Sequence, residues 1–264
     1  AVTGVQTCAL PIFIKNCKIV GCTSTNGGGG IRLQSYSGTG TIQNVWFLNC
    51  TVSGTTHGGG LLIDVGGVVV KSCRFEGCQT TGTGTGGGAR ASYSTTAVTI
   101  FYGCEFVNCA SGATGGGFAF TNSASTPNIS LINCTFANNT AVTSAPDATL
   151  NIAGTATGTI KNCIMYSTGT PLVKTGGGTL TTTYSDIRGG FAGTGNINSD
   201  PLFTDSANRI YTLTLSSPAK GAGIYDANSV DRRGNLYKNP PTMGAWEYLN
   251  TTAGRIRNRL RTRL

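Results

Sequence analysis

The sequence is poor in charged residues and in residues that favour helices. Asp, Glu, Lys and Arg make up 11% of its 264 residues, where a typical soluble domain has about 25%. One His and two Met are present. A surface with so little charge must be covered by Thr, Ser, Asn and Gly, which suits an extracellular β protein. Apolar runs stay well short of the roughly 20 residues of a membrane-spanning helix, so no transmembrane helix is predicted.

Glycine is abundant, with 40 residues, but it lacks a Gly-X-Y period, which excludes a collagen-like chain. The net charge of +9 is concentrated at the C-terminus, where five arginines leave the rest of the chain at 9 − 5 = +4. These are Arg255, Arg257, Arg259, Arg261 and Arg263. We interpret residues 251–264 as a short disordered basic tail, not as an element that binds nucleic acid.

The first twelve residues are interpreted separately. Val2–Ile12, VTGVQTCALPI, resembles one reading frame of a common sequencing adaptor, so residues 1–12, including Cys8, are left out of the fold prediction. The natural N-terminus is therefore expected to be missing, and the absence of a signal peptide carries no information on secretion.

A unit of 28 to 31 residues recurs along the chain. Its first position holds a small apolar residue, and a larger apolar residue follows two places later. The first positions are Cys17, Val45, Cys73, Cys104, Cys134 and Cys163. A fixed period of about 20–50 residues is typical of solenoids, propellers and repeat arrays.

Within a unit the apolar residues alternate, as at Val68 and Val70 and again at Cys73 and Phe75. A period of two indicates strands. A propeller or a sandwich would need antiparallel hairpins, whereas one residue type at one place in every unit favours parallel stacking at about 4.8 Å per coil. We predict an all-β, single-stranded parallel β-helix, a solenoid of about six to seven coils of 28–31 residues with a C-terminal cap.

Stacked coils place equivalent inward residues in ladders. One predicted ladder is Ile19, Phe47, Phe75, Phe106, Phe136 and Met165. Another is Cys22, Cys50, Cys78, Cys109, Asn139 and Thr168. The position before it is Asn or Gly in five units, at Gly21, Asn49, Gly77, Asn108 and Asn138. Both residue types tolerate left-handed backbone, so this position predicts a tight turn.

Nine cysteines remain once Cys8 is set aside. Their spacing is not that of a structural zinc site, and no metal is expected. Stacked cysteines such as Cys73 and Cys104 would fall within disulfide range. The alternative is a column of buried thiols that pack as small apolar residues.

Two parts of the sequence resemble known proteins. The repeats resemble bacterial right-handed parallel β-helix proteins and, through Gly87-Gly88-Ala89 and Phe136–Asn139 (FANN), the repeats of chlamydial polymorphic outer-membrane proteins. The run over residues 184–248, with YSDIRGG, GTGNINSDPLF, DRRGN and MGAWEY, resembles the C-terminal region of secreted bacterial β-helix proteins of the choice-of-anchor type. The resemblance implies a right-handed helix over residues 13–190 and a closing region over residues 191–250.

Many β-helix proteins are polysaccharide lyases or glycosidases, which makes the acidic residues candidates for such a role. Glu76 and Glu105 are the candidate pair, but their register favours an ion pair between Glu105 and Arg74. Asp186, Asp200 and Asp205 lie in the C-terminal motifs and are interpreted as structural. His57, which precedes three glycines, is interpreted as a solvated loop residue.

A binding surface is predicted one place after the first position of each unit, where the side chains are expected to face solvent. The column runs Lys18, Trp46, Arg74, Glu105, Thr135 and Ile164. An exposed Trp between two cations suits a sugar or an anionic glycan. Lys18, Trp46, Arg74 and Glu105 are therefore the candidate glycan-binding residues.

These observations predict a secreted or cell-surface β-helix that is structural or adhesive, binds glycans and is not catalytic. It is expected to be a monomer with no cofactor. The alternative is a polysaccharide lyase or glycosidase of the pectate-lyase-like class, and Ca²⁺ is expected as a cofactor only for a lyase.

Overall fold

A computed structural model describes residues 11–34, 39–93, 96–121, 128–143, 147–151, 155–227 and 230–249. All regular secondary structure in these residues is β-strand, as predicted. The predicted adaptor-like segment lies outside the described residues except for Pro11 and Ile12, and the predicted basic tail lies outside them entirely. Cys8 and the five C-terminal arginines therefore have no structural account.

Each coil contributes up to four short strands. In chain order they are β1 (Ile12–Val20), β2 (Thr23–Ser24), β3 (Ile31–Leu33), β4 (Gly40–Leu48), β5 (Thr51–Val52), β6 (Leu61–Ile63), β7 (Val68–Lys71), β8 (Arg74–Glu76), β9 (Gln79–Thr80), β10 (Ala89–Ala91), β11 (Val98–Tyr102), β12 (Glu105–Val107), β13 (Ala110–Ser111), β14 (Phe118–Thr121), β15 (Asn128–Ile132), β16 (Thr135–Ala137), β17 (Thr140–Ala141), β18 (Ala148–Asn151), β19 (Thr157–Lys161), β20 (Ile164–Met165), β21 (Leu172–Thr175), β22 (Thr179–Thr183) and β23 (Asp186–Ile187). β24 (Phe203–Asp205) and β25 (Ile210–Leu213) follow outside the coils.

The coils stack into three faces, and every strand pair within them is parallel. The first face is formed by β7, β11, β15, β19 and β22 with the first halves of β1 and β4. The second face continues from it after a bend and contains β8, β12, β16, β20 and β23 with the second halves of β1 and β4. The third face is β3, β6, β10, β14, β18 and β21, and the short strands β2, β5, β9, β13 and β17 form a corner between the second and third faces. The prediction of a parallel β-helix is confirmed.

The aromatic ladder forms in the predicted register. Phe47, Phe75, Phe106 and Phe136 are paired from coil to coil and are fully buried. Their rings lie 4.6–4.7 Å apart and within 6° of parallel. This spacing is that of neighbouring strands, so the rings stack because the backbone pairing holds them one above another.

The described cysteines are free thiols and form no disulfides. The structure therefore shows stacked thiols that pack as small apolar residues. Cys73 donates weakly to a carbonyl of its own coil, Lys71 O at 3.2 Å, and to one in the coil before, Ile42 O at 3.6 Å. Cys104 repeats this with Tyr102 and Val70. Burial raises the pKa of the Cys73, Cys78 and Cys134 thiols, which makes them poor nucleophiles.

The ladder that begins at Cys22 ends in polar residues, and the prediction of Thr168 as its last member is wrong. Thr168 is exposed, and Ser167 takes the inward place because the final coil is one residue shorter here. Asn139 donates to Asp147 Oδ1 at 2.8 Å, and its backbone N–H donates to Ser167 Oγ at 2.8 Å. Ser167 also donates through its hydroxyl and its backbone N–H to the carboxylate of Asp147, which is fully buried. Burial raises the pKa of Asp147 to about 6.

The tight turn predicted one residue before the Cys22 ladder is confirmed. A second column of residues with left-handed backbone accompanies it. Asn49, Asn108 and Asn138 have φ of 53–54°, in the left-handed region. The residue before the first position of each repeat unit adopts the same conformation, and Ser72 is one of these with φ of 51°. Tyr184, in the coil after the last listed unit, has φ of 48°. Ser and Tyr rarely adopt this backbone, so the residue type does not indicate it at these two places.

The C-terminal residues pack mainly against the side of the helix. Residues 191–197 extend its end, where Ile197 bridges to Asp186 and Phe191 packs against the core. β24 and β25 then form an antiparallel pair. Residues 203–227 and 230–247, named here the C-terminal strap, run across the second face. The strap is hydrogen-bonded to both columns of left-handed residues. Asn108 and Asn138 donate to Tyr211 Oη, and Ser72 donates to Asp231 O.

The accessibility of the thiols provides a test of the ladders. Cys17 and Cys22 are exposed and the other seven described cysteines are buried. A thiol reagent should therefore react quickly with these two in the native protein, plus Cys8 where it is accessible, and with all ten cysteines after denaturation without reductant. Thiols that remain unreactive in pairs after denaturation would show inter-coil disulfides instead.

The buried Asp147 predicts a pH dependence of stability. Its folded pKa of about 6 lies above the ordinary value of 3.8, so the folded state binds the proton more tightly. Stability from this group is therefore present below about pH 4 and is lost as pH rises to about 6, by an amount of about 3 kcal/mol. Asp147→Asn should gain stability relative to the parent protein by roughly this amount between pH 4 and pH 7, measured by urea unfolding. A difference between the two proteins that stays constant with pH would contradict the assignment.

Candidate functional site

The predicted binding column has the expected register on the second face. Lys18 pairs with Trp46, Trp46 with Arg74, and Arg74 with Glu105. Thr135, Ile164 and Asp186 continue it in the following coils. The column is therefore continuous across seven strands.

Its first two members form the accessible part of the column. Lys18 is exposed and Trp46 is half-buried. The ammonium of Lys18 lies 4.1 Å from the centre of the Trp46 ring, and the guanidinium of Arg74 lies 5.8 Å from it. The aromatic group between two cations is thus present as predicted. Trp46 Nε1 is buried and has no hydrogen-bond partner among the described residues.

The remaining members do not face solvent, so that part of the prediction is wrong. Glu105 is fully buried, Thr135 and Ile164 are each 1% exposed, and the Arg74 side chain is 13% exposed. The C-terminal strap covers them, with Ala245 N donating to Thr135 Oγ1 at 2.8 Å. A sequence aligned on the repeat cannot show this, because the strap lies outside the repeat.

Under the strap, Arg74 and the two glutamates form an ion-pair network. Arg74 contacts Glu76 at 2.8 Å and Glu105 at 2.9 Å. Arg209 of the strap contacts Glu76 at 2.8 Å, and Arg232 lies 3.7 Å from Glu105. Burial by itself raises the pKa of Glu76, but the hydrogen bond from Arg209 and the charge of Arg74 bring it below its usual value. The predicted pair of Arg74 and Glu105 is present, but it is buried.

Trp246 completes this network from the strap. Its Nε1 donates to Glu105 Oε1 at 2.6 Å, and the guanidinium of Arg233 lies 5.2 Å from its ring centre. Glu105 thus receives bonds from Arg74 and Trp246, while Glu76 is held by Arg74 and Arg209. The two glutamates fasten the strap to the coils, a role that the sequence spacing did not reveal.

The other acidic candidates have structural partners. Asp186 accepts a bond from Ser199 N at 3.0 Å, and burial raises its pKa to about 6. Asp200 accepts from Leu202 N, and Asp205 accepts from Asn208 N. Among the described residues, no three His, Cys, Asp or Glu side chains lie close enough together to hold a metal ion.

His57 is more enclosed than the sequence indicated. It is half-buried, and its Nδ1 accepts the backbone N–H of Thr85 at 3.1 Å. Burial, with a smaller contribution from the charge of Arg90, lowers the pKa of His57 to about 4. The prediction of a solvated loop histidine is therefore wrong in its environment, because the stacking of the next coil covers one edge of the ring.

A shallow groove of about 420 Å³ runs along the corner strands across three coils. Its lining is made of small residues that include Thr80, Ser111 and Thr140. The groove follows the helix axis, so its long dimension suits an extended chain more than a compact ligand. It lies next to the second face but outside the predicted column.

The fold and these faces define a class, the parallel β-helix proteins. Residues 4–145, just over half of the chain, match the family described as the right-handed β-helix region. The chain belongs to this family. No curated protein matches it, and no solved structure does. Across the described residues, no helix is long and apolar enough to cross a membrane.

The two tryptophans offer a matched test of the strap. Trp246→Phe keeps most of the ring but removes the bond to buried Glu105, so we expect a loss of about 1.5–3 kcal/mol in the free energy of unfolding. Trp46→Phe removes an N–H without a partner among the described residues and should cost almost nothing. Denaturant unfolding of both variants measures the difference. Equal losses would show that the Glu105 bond does not hold the strap.

Proposed function

We propose that the protein is a secreted or cell-surface β-helix repeat protein with a structural or adhesive role, which binds glycans without catalysing their cleavage. The observation that carries the proposal is the state of the acidic residues in the coils. Asp64 is paired with Arg32 at 2.9 Å, Glu76 and Glu105 are paired with arginines, and Asp147 is enclosed in the core.

Such carboxylates do not suit the chemistry of the alternative class. A glycosidase needs an acid and a base, or an acid and a nucleophile, facing the two sides of one bond in an open cleft. Glu76 and Glu105 instead share Arg74 and lie beneath the strap. Although Glu76 is partly buried, the hydrogen bond from Arg209 and the charge of Arg74 lower its pKa, whereas the general acid of a glycosidase must be protonated.

A surface location is supported by the composition and by the state of the thiols. The low charge content leaves a surface rich in Thr, Ser, Asn and Gly. Disulfides are common in oxidising compartments, yet buried thiols with raised pKa react slowly and can persist there. Seven cysteines are buried, and burial raises the pKa of Cys73, Cys78 and Cys134 among them.

Glycan binding is assigned to the accessible end of the predicted column. Trp46 is partly exposed, and the ammonium of Lys18 lies 4.1 Å from its ring centre. Sugar rings stack on aromatic side chains, and the neighbouring cation attracts acidic groups. The guanidinium of Arg74 lies 5.8 Å from the centre of the same ring. Glu105 is buried, so it is not part of the proposed contact surface.

Retention on insoluble and immobilised polysaccharides tests this proposal. Trp46→Ala should weaken retention about tenfold or more, because stacking on an aromatic ring is lost. Tyr225→Ala removes an exposed aromatic side chain elsewhere and should bind as the parent protein does. Unchanged retention of Trp46→Ala would remove this surface from the proposal.

The absence of catalysis is measured separately on the same polysaccharides. Neither new reducing ends nor unsaturated products should accumulate in the presence of Ca²⁺. Turnover that is lost in Glu76→Gln or Glu105→Gln would instead establish the enzyme.

A further inference from the structure

Arg90 is an arginine with no ion-pair partner in the part of the chain that the structure describes. It lies in the middle of β10 on the third face and is half-buried. Its Nε is buried without a hydrogen bond, and it forms no ion pair within 4.0 Å among the described residues. Burial lowers the pKa of its guanidinium, although the more distant charge of Asp64 opposes this effect. A half-buried cation normally has a hydrogen-bonded partner, so its isolation indicates a place for an anion.

The side chain of Arg90 lies against the glycine-rich turn beside its strand. A Cβ on Gly86 would come within 2.9 Å of Arg90 Cβ, so glycine at this place, with φ of 70°, lets the arginine pack there. Leu62 is the residue paired with Arg90 one coil earlier, and it reaches back to the coil before its own, where a Cβ on Gly27 would come within 2.6 Å of Leu62 Cδ2. Gly27 and His57 occupy equivalent places in successive coils, and the charge of Arg90 is close enough to contribute to the lowered pKa of His57.

His57 supplies a second donor at this place. Its Nδ1 accepts the N–H of Thr85, so the neutral ring carries its proton on Nε2. The Thr85 hydroxyl lies 3.2 Å from the same Nδ1. Nε2 makes no hydrogen bond among the described residues, so its N–H is available. The ring is fixed by the next coil, and its donor does not have to be reorganised when a ligand binds.

The charges around Arg90 and His57 favour the binding of an anion. Arg32, Leu62 and Arg90 are paired in register on neighbouring strands, and Asp64 is already bound to Arg32 at 2.9 Å. Two arginines and one aspartate leave a local charge of 2 − 1 = +1 with His57 neutral. Arg32 also donates to Asn26 O at 2.7 Å. The uncompensated charge is therefore that of Arg90.

We propose that Arg90 and His57 form a binding site for an oxyanion, with the planar guanidinium and the Nε2–H donating to a carboxylate or sulfate group. A guanidinium matches such groups through two parallel N–H bonds. The site lies on the third face and is separate from the Lys18 and Trp46 surface.

The source of the oxyanion rests on the proposed function. A glycan-binding β-helix would meet carboxylates on uronic acid residues and sulfates on sulfated polysaccharides, and the two share the chemistry that Arg90 recognises. The repeat spacing of the coils lets a polymer extend along the face while one of its anionic groups binds at Arg90.

The test compares polygalacturonate, dextran sulfate and neutral dextran at one ionic strength, using affinity and the shift in Tm. The parent protein should bind at least one anionic polymer at least tenfold more tightly than neutral dextran, with a rise in Tm of about 2–4 °C near saturation. Which anionic polymer binds identifies the source. Binding to neither would overturn the proposal.

Arg90→Met locates the site, because it removes the charge without breaking a hydrogen bond of the described structure. Its Tm without ligand should equal or exceed that of the parent protein, and its preference for anionic polymers should fall about tenfold. Arg188→Met removes an exposed arginine far along the helix and should retain that preference. An Arg90→Met protein that binds anionic polymers like the parent protein would refute the site.

Two further results keep the proposal separate from the proposed function. Arg90→Lys keeps the charge but not the planar fork, so it should bind several-fold more weakly than the parent protein if the site reads an oxyanion. Arg90→Met should leave any Trp46-dependent retention on neutral glycans unchanged. A loss of that retention would show that Arg90 acts through the fold and would count against the site.

Discussion

The structure depends on the parallel hydrogen bonding of each coil to the next in strict register. Equivalent residues then lie one strand spacing apart, about 4.8 Å, so each position must hold a side chain that packs on its counterpart. Phe47, Phe75, Phe106 and Phe136 meet this condition as parallel rings. Thiols meet it by being small and by donating to carbonyls of two successive coils. Asn meets it at the turns, where the backbone is left-handed.

The same stacking also brings outward side chains together. On the second face it places like charges on adjacent coils, and the C-terminal strap compensates them. Register alone brings Arg74 and Glu105 together as an ion pair, but Glu76 and Glu105 place two like charges on adjacent coils. Arg209, Arg232 and Trp246 of the strap neutralise or bind these two carboxylates. The strap therefore closes the second face beyond Trp46 and leaves the first two coils of that face open. Arg90, on the third face, has no such covering partner among the described residues.

The inward architecture could be predicted because it repeats. A period of 28–31 residues with alternating apolar positions determines the faces, the ladders and the turn at Asn49, Asn108 and Asn138. The errors lie where the repeat is broken. Thr168 was misplaced because the last coil is shorter, and the left-handed backbone at Ser72 and Tyr184 was missed because those residue types do not favour it. At the candidate site, the contact of Lys18 with Trp46 followed from register, but the burial of Glu105 did not.

The sequence by itself determined that the chain is a parallel β-helix and which side chains point inward, because both follow from local alternation and a fixed period. Tertiary structure alone decided which outward side chains meet solvent. The strap reaches Arg74 and Glu105 from positions 135 and 141 residues further along the chain, at Arg209 and Trp246. Contacts across such separations carry no periodic signal, so the split of one column into an open end and a buried ion-pair network is visible only in the folded protein.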